Sequence, residues 1–150
     1  KHNAWAFEQT RKLRPGVVAF SVVLGNQAQS PEMLALGKTL QELPGRKMFI
    51  VDAPEVKPFS ECLNGTDIRD CKQPTGPNVL KTTGDARTFA NRFGMTQMSL
   101  TDLLCVQSQC PPFIKGMPVR FDGQHLTTKM LEAIEPFVAS AIGVAARHGN

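Results

Sequence analysis

Four short runs of apolar residues interrupt the polar background of the chain, and their β-branched and aromatic side chains predict β-strands. Residues 16–25 form a nearly continuous apolar run, and residues 47–52 contain a second one. Runs of this kind are typical of strands that are buried on both faces of a parallel sheet. Residues 98–102 and 117–121 predict two further, shorter strands.

Apolar residues at helical spacing predict helices around and between these strands. Residues 3–14 predict the first helix, and Ser30 is placed to cap a second one. Residues 85–93 predict a third helix, and the last one begins at residue 127 or 128 and ends near residue 142. Strands that alternate with helices in this way predict an α/β fold in which helices flank a parallel sheet.

The composition suits one globular domain. The chain has 150 residues, 41% of them hydrophobic and 20% charged. Its net charge of +4 is spread along the sequence and not clustered into a basic groove. With no tyrosine and one tryptophan, the chain also lacks an aromatic platform on which bases could stack. The sequence therefore does not indicate nucleic-acid binding. No apolar run is long enough to predict a membrane span. Residues 1–5 lack the apolar core of a signal peptide and have the character of a helix entered partway, so we expect the chain to begin inside a larger protein.

The four cysteines form two local couples, Cys62 with Cys71 and Cys105 with Cys110. The first couple lies in a long proline-rich polar segment, residues 53–82, which predicts a loop. Four cysteines allow three pairings, and loop closure favours the local one. Zinc is the alternative, but neither couple has C-x-x-C spacing and no nearby histidine completes a site. We favour two disulfides, and hence an oxidising compartment outside the cytoplasm, and we expect no metal.

An aspartate three residues before a histidine, with a glycine between them, is the strongest candidate for chemistry. Asp122 can fold back towards His125 across Gly123, and a carboxylate on an imidazole fixes the tautomer that a histidine base requires. The spacing alone is common by chance. The structural alternative is that Asp122 or Thr127 caps the last helix and that His125 is an ordinary surface side chain.

The residues around this pair carry a family resemblance. Cys105, Cys110-Pro111 and the run 116–127, which contains D-x-x-H-L-T, together resemble the C-terminal block of SGNH-type esterase domains. The resemblance is closest to the extracytoplasmic SGNH domain fused to membrane acyltransferase-3 proteins of the actinobacterial type. Trp5, residues 13–18 and the loop between the first two cysteines also have family counterparts, so the resemblance covers most of residues 5–138.

The resemblance implies a three-layer, flavodoxin-like fold for residues 1–150, as a single SGNH-like domain with residues 143–150 as a tail. It implies that Asp122 orients His125 and that His125 acts as general base. Gly25 and Asn26 stand where the family has its Gly-x-Asn block, whose asparagine donates a hydrogen bond to the oxyanion. Here no residue separates the two, so a simple turn after the strand is the alternative.

One family feature is missing from the sequence. No Gly-Asp-Ser block, which carries the nucleophile, is present, and the single Gly-Asp, Gly84-Asp85, is followed by Ala86. We therefore expect this chain to be the C-terminal part of the domain, without its first strands, and to be inactive alone. We also expect an N-terminal fragment or a second copy to pair with the edge of the strand at residues 16–25.

The function implied by the resemblance is O-acylation or ester hydrolysis on the cell envelope. The acyl donor would come from a membrane acyltransferase-3 domain that tethers the protein, and the acceptor would be an envelope polysaccharide or glycolipid. No metal or organic cofactor is implied. The alternative is a non-catalytic domain that binds a glycan or a protein partner on the same scaffold.

Overall fold

The computed structural model describes residues 2–21, 30–51, 73–74, 77–107, 109–122 and 125–147. It contains five described helices, which are α1 His2–Leu13, α2 Pro31–Gln41, α3 Pro77–Arg92, α4 Leu100–Leu104 and α5 Thr128–Arg147. The described strands are β1 Val17–Ser21, β2 Arg46–Val51, β3 Gln73–Pro74, β4 Thr96–Ser99, β5 Gln109–Cys110, β6 Phe113–Ile114 and β7 Met117–Pro118. None of the described helices is both long and apolar enough to cross a membrane.

A parallel sheet with the order β1-β2-β4 forms the centre of the molecule. Phe20 of β1 pairs with Phe49 of β2, and Ile50 of β2 pairs with Met98 of β4. Helices flank this sheet, so the predicted α/β fold is confirmed. Two short antiparallel pairs, β3 with β5 and β6 with β7, lie outside the main sheet.

Among the described residues, two apolar clusters form the core. Phe49 and Val51 point to the same face of β2 because side chains alternate along a strand. On that face α2 and α3 complete the first cluster, whose buried members are Leu40, Leu43, Phe49, Val51, Ala86, Phe89, Ala90, Phe93 and Met95. The second cluster joins α4 and α5, and its buried members are Leu104, Val119, Met130 and Ile134.

The direction of α5 follows from contacts at its two ends. Arg46, the first residue of β2, donates hydrogen bonds from Nη1 to the carbonyl oxygens of Ala145 and Ala146 in the last turn of α5, at 2.8 and 2.7 Å. Near the other end, Met130 shares the second cluster with Leu104 of α4, which follows directly on the carboxyl end of β4. The helix contacts all three strands of the sheet. Its first turn therefore lies towards the carboxyl ends of the strands.

Several predicted boundaries are wrong. The third strand is Thr96–Ser99 rather than residues 98–102, because Ser99 accepts a hydrogen bond from the backbone N–H of Asp102 and so caps α4. The helix predicted at residues 85–93 already begins at Pro77, inside the predicted loop. The last helix continues to Arg147, so most of the predicted tail is helical.

The strand predicted at residues 117–121 is a short hairpin strand instead. Met117–Pro118 pairs with Phe113–Ile114, and further along Arg120 forms an isolated bridge with Leu126. The turn between the two hairpin strands has positive φ at Lys115 and Gly116, 50° and 77°, which is the combination that a tight two-residue hairpin requires. The chain then leaves the hairpin and enters the Asp122 turn.

The strand β1 is not buried on both faces as its apolar run predicts. Ala19 and Ser21 are exposed, whereas Met48 and Phe49 of β2 are fully buried. Ala19 and Ser21 lie on the same face because side chains alternate along a strand, so this face of β1 is exposed, while Val18 and Phe20 on the other face are half-buried.

Candidate active site around Asp122 and His125

A tight reversal of the backbone brings Asp122 and His125 together. Arg120 and Leu126 form an isolated antiparallel bridge, and the N–H of Phe121 donates to the carbonyl oxygen of His125 at 3.2 Å. The chain thus turns back on itself within five residues. Inside the turn, the backbone N–H of His125 donates to Oδ1 of Asp122 at 2.6 Å.

The second carboxylate oxygen of Asp122 contacts the imidazole itself. Oδ2 lies 2.7 Å from Nδ1 of His125. Because an ionised carboxylate only accepts hydrogen bonds, Nδ1 carries the proton in this contact, and in the neutral imidazole Nε2 then presents its lone pair. Asp122 therefore holds both the backbone and the ring of His125, and it selects the tautomer in which Nε2 can act as a base.

The pair is open to solvent. The His125 side chain is 68% exposed and that of Asp122 is 42% exposed. On one side of the imidazole lies the ring of Phe121, with the two centroids 5.5 Å apart and the planes inclined by only 13°. The base is thus accessible to a second molecule or segment, while its ring is in contact with two neighbouring side chains.

Thr127 joins this turn to the body of the molecule. Its N–H donates to the carbonyl oxygen of Val119 at 3.0 Å, and its hydroxyl donates to that of Pro118 at 2.6 Å. The same hydroxyl accepts from the N–H of Met130 at 3.2 Å and so caps α5. Of the two caps that the sequence allowed, Thr127 is the one observed. The Asp122 carboxylate binds His125 instead.

The position of the turn suits a ligand-binding site. His125 lies three residues before α5 begins, and the first turn of α5 lies towards the carboxyl ends of the parallel strands. Open parallel sheets bind their ligands outside these ends, since loops from several strands meet there.

The disulfide predicted between Cys105 and Cys110 is present, with the two Cα atoms 4.2 Å apart. It closes the loop after α4, where Val106 and Gln109 exchange two backbone hydrogen bonds of 2.8 and 2.9 Å. Cys105 also packs against the second cluster, on which Leu126 rests beside His125. The other predicted couple, Cys62 and Cys71, lies outside the described residues.

Of the remaining residues that the sequence analysis considered for the site, some lie within the described part of the chain and some lie outside it. Gly25 and Asn26 lie outside the described residues. Among the described serines, Ser30 and Ser99 accept N-cap hydrogen bonds at the starts of α2 and α4. Gly84 lies inside α3. The described residues contain no group of three or more acidic, histidine or cysteine side chains that could hold a metal ion.

Phe121 is the site residue that sequence reasoning missed. The sequence pattern places it at the end of a strand, and its contact with His125 depends on the backbone reversal that brings residues 121 and 125 together. The available signal was a large aromatic residue directly before the aspartate of D-x-x-H.

No protein-family model matches the sequence, and no curated protein matches it either. Among solved structures, the fold is similar to that of the periplasmic domain of a lipopolysaccharide acetyltransferase from Salmonella ser. Paratyphi A, with a TM-score of 0.69 and 16% sequence identity. The match covers 91% of this chain and 62% of that one, so the chain spans less than two thirds of the length of the acetyltransferase domain. At this identity the likeness shows the shared α/β fold.

Proposed function

We propose that this chain is part of an extracytoplasmic O-acyltransferase or esterase that acts on acyl esters of cell-envelope glycans. The observation that carries the proposal is the contact between Asp122 and His125, in which the carboxylate binds Nδ1 at 2.7 Å and leaves Nε2 as an accessible base. Two further findings support it. The fold is similar to a lipopolysaccharide acetyltransferase periplasmic domain, and a disulfide closes one loop, as expected in an oxidising compartment.

The proposed reaction is nucleophilic acyl transfer with a Ser-His-Asp triad. A serine from a Gly-Asp-Ser block elsewhere in the complete gene product attacks the acyl carbonyl, and Nε2 of His125 takes the hydroxyl proton. Asp122 keeps the ring oriented and stabilises the imidazolium that forms. The imidazolium then gives its proton to the departing alcohol or thiol as the tetrahedral intermediate collapses, which leaves an acyl-serine.

The second half of the reaction repeats these steps with an acceptor. His125 takes a proton from a glycan hydroxyl, or from water, as that oxygen attacks the acyl-serine, and it returns the proton to the serine. Gly25 and Asn26 are the proposed oxyanion donors, and an acyltransferase-3 domain in the membrane is the proposed source of the acyl group. The acceptor is proposed to be an envelope polysaccharide or glycolipid.

A serine-reactive fluorophosphonate tests this proposal on the complete gene product, in which this chain is joined to a Gly-Asp-Ser block. We expect the serine to be labelled and an acyl ester to be turned over, and His125→Ala to abolish turnover. His2→Ala is the matched control, since it removes a histidine from the opposite end of the sequence. A complete protein that stays unlabelled and inactive would contradict the proposal.

The second candidate is a non-catalytic domain that binds a glycan or a protein partner. The specific observation in its favour is that no Gly-Asp-Ser occurs in the sequence. Under this proposal an envelope glycan binds the complete protein equally well with His125 or with alanine at that position, and no ester is cleaved. Calorimetric titration of both forms with the same glycan distinguishes the two candidates.

A further inference from the structure

We propose that Phe121 is a positioning residue that sets the plane of the His125 imidazole. The inference rests on the proposed function for its catalytic consequence, but the contact that it concerns can be measured in this chain alone. The two ring centroids are 5.5 Å apart and the ring planes are inclined by 13°. This is the offset parallel arrangement that aromatic pairs favour.

One hydrogen bond leaves the orientation of the imidazole ring undetermined. The contact between Oδ2 of Asp122 and Nδ1 of His125 fixes where one atom of the imidazole lies. The ring can still tilt about that atom, and each tilt moves Nε2, the atom that must reach the nucleophile. A side chain that is 68% exposed has little packing around it to prevent this motion.

Phe121 supplies the missing restraint because its ring lies against the imidazole face. A tilt of the imidazole out of the common plane would break the stack. The backbone makes the arrangement specific, since the N–H of Phe121 donates to the carbonyl oxygen of His125 and holds the two residues opposite each other. Asp122 and Phe121 together therefore fix the direction of the Nε2 lone pair.

The exposure of Phe121 agrees with a role at the site rather than in the core. The residue is 68% exposed, and it is not a member of either apolar cluster. Replacing it therefore leaves the core packing intact, so Phe121→Leu should fold normally. The leucine keeps an apolar side chain and removes the aromatic face, whereas Phe121→Tyr keeps the face.

The first measurement is the proton NMR spectrum of the His125 ring in this chain. A ring that stacks on Phe121 experiences its ring current, so the His125 Hδ2 and Hε1 signals should move downfield in Phe121→Leu and stay near their wild-type positions in Phe121→Tyr. Phe137→Leu, which removes another exposed phenylalanine from α5, is the matched control and should leave both signals unchanged. Unchanged His125 signals in Phe121→Leu would overturn the inference.

The second measurement is turnover of an acyl ester by the complete gene product. Loss of an aromatic stack should lower kcat about 10-fold, with KM unchanged and with recovery in Phe121→Tyr. If the ring signals move while kcat does not, Phe121 has no positioning role in the reaction. If His125→Ala is fully active, the proposed function fails, while the NMR comparison still decides whether Phe121 orders the ring.

Discussion

Asp122 binds His125 through both of its oxygens, one on the backbone N–H and one on the ring. An exposed contact of this kind adds little to the free energy of unfolding, on the order of 0 to 1 kcal/mol, because water competes for the same polar groups and screens the carboxylate charge. The contact has a clearer effect on the orientation of the imidazole, since it selects the tautomer and holds the ring. Under the proposed function, the pair therefore affects the reaction more than it affects the free energy of unfolding.

Asp122→Asn in the complete gene product should therefore separate activity from stability. The amide oxygen can still accept the backbone hydrogen bond, but the variant loses the charge that stabilises the imidazolium. We expect kcat on an acyl ester to fall by about 10²- to 10⁴-fold, and the thermal midpoint to change little. Asp102→Asn, which removes an exposed carboxylate paired with Arg87, is the control. Full activity of Asp122→Asn would remove Asp122 from the site.

Glu32 gives a pH-dependent prediction at the scale of the residue. Its own backbone N–H and the Ser30 hydroxyl hold the pKa of this carboxyl below the ordinary value of 4.5. A lowered folded-state pKa adds stability that is present above 4.5 and is lost as the pH falls through the folded value. Glu32→Gln should thus unfold at a slightly lower temperature than the wild type at pH 7. The two thermal midpoints should converge as the pH falls below the lowered folded-state pKa, and a difference that stays constant down to pH 2 would contradict the prediction.

At the scale of the element, the turn between α2 and β2 depends on a close backbone approach. Gly45 has a φ of 78°, and a Cβ added to it would collide with the carbonyl oxygen of Pro15. The close approach of these two backbone segments allows the N–H of Arg46 to donate to the carbonyl oxygen of Gly16 at 2.9 Å. This hydrogen bond aligns β1 with β2.

Gly45→Ala and Gly94→Ala form a matched pair that separates the free-energy cost of a left-handed backbone from the cost of a steric collision. Both glycines have positive φ, but an added Cβ at Gly94 meets nothing within 4 Å. Gly94→Ala should lose about 1–2 kcal/mol for the left-handed backbone alone. Gly45→Ala should lose about 1–3 kcal/mol more, because the backbone must move. Urea unfolding measures both, and equal losses would show that the Pro15 contact is unimportant.

The Cys105–Cys110 disulfide stabilises the loop after α4, which packs beneath the candidate site. It closes a loop of sequence separation 5 and packs on the cluster beneath Leu126. Such a short loop gives a modest chain-entropy contribution of about 2 kcal/mol. We expect the double variant Cys105→Ala/Cys110→Ala to lose about this amount in urea unfolding. Identical unfolding curves for variant and wild type would show that α4 and the hairpin pack without the crosslink.

At the scale of the whole molecule, the main feature is the edge that β1 forms in the described part of the sheet. Among the described strands β1 has one neighbour, and Ala19 and Ser21 on it are exposed. An edge strand with apolar neighbours tends to pair with another chain unless a charge prevents it. The expectation that a further strand or a second copy pairs there remains a prediction.

Ala19→Lys tests this edge in the isolated chain. We expect the wild type to associate as its concentration rises, and the lysine variant to remain monomeric over the same range, because the charge disfavours edge pairing. Sedimentation velocity at several concentrations measures the change. Ala35→Lys, which places the same charge at an exposed position on α2, is the control and should associate like the wild type. A wild-type chain that is monomeric throughout would contradict the prediction.

The features that depend on residues close together in the sequence were predictable from the sequence. Apolar runs indicated the parallel α/β sheet, and Ser30 before Pro31 indicated the start of α2, because these preferences act within one element. The D-x-x-H spacing placed Asp122 beside His125, since a side chain reaches three residues along a turn. Local chemistry also favoured the bond between Cys105 and Cys110.

Other features were decided only by the tertiary structure, because they depend on contacts distant in sequence. The helix α5 continues past residue 142 because Ala145 is buried and Arg46, about 100 positions earlier, binds the last carbonyls. One face of the strand β1 is exposed at Ala19 and Ser21, because which face other elements cover depends on the folded chain and cannot be read from an apolar run. The stack of Phe121 on His125 likewise required the folded turn, since the rings meet only after the chain has reversed.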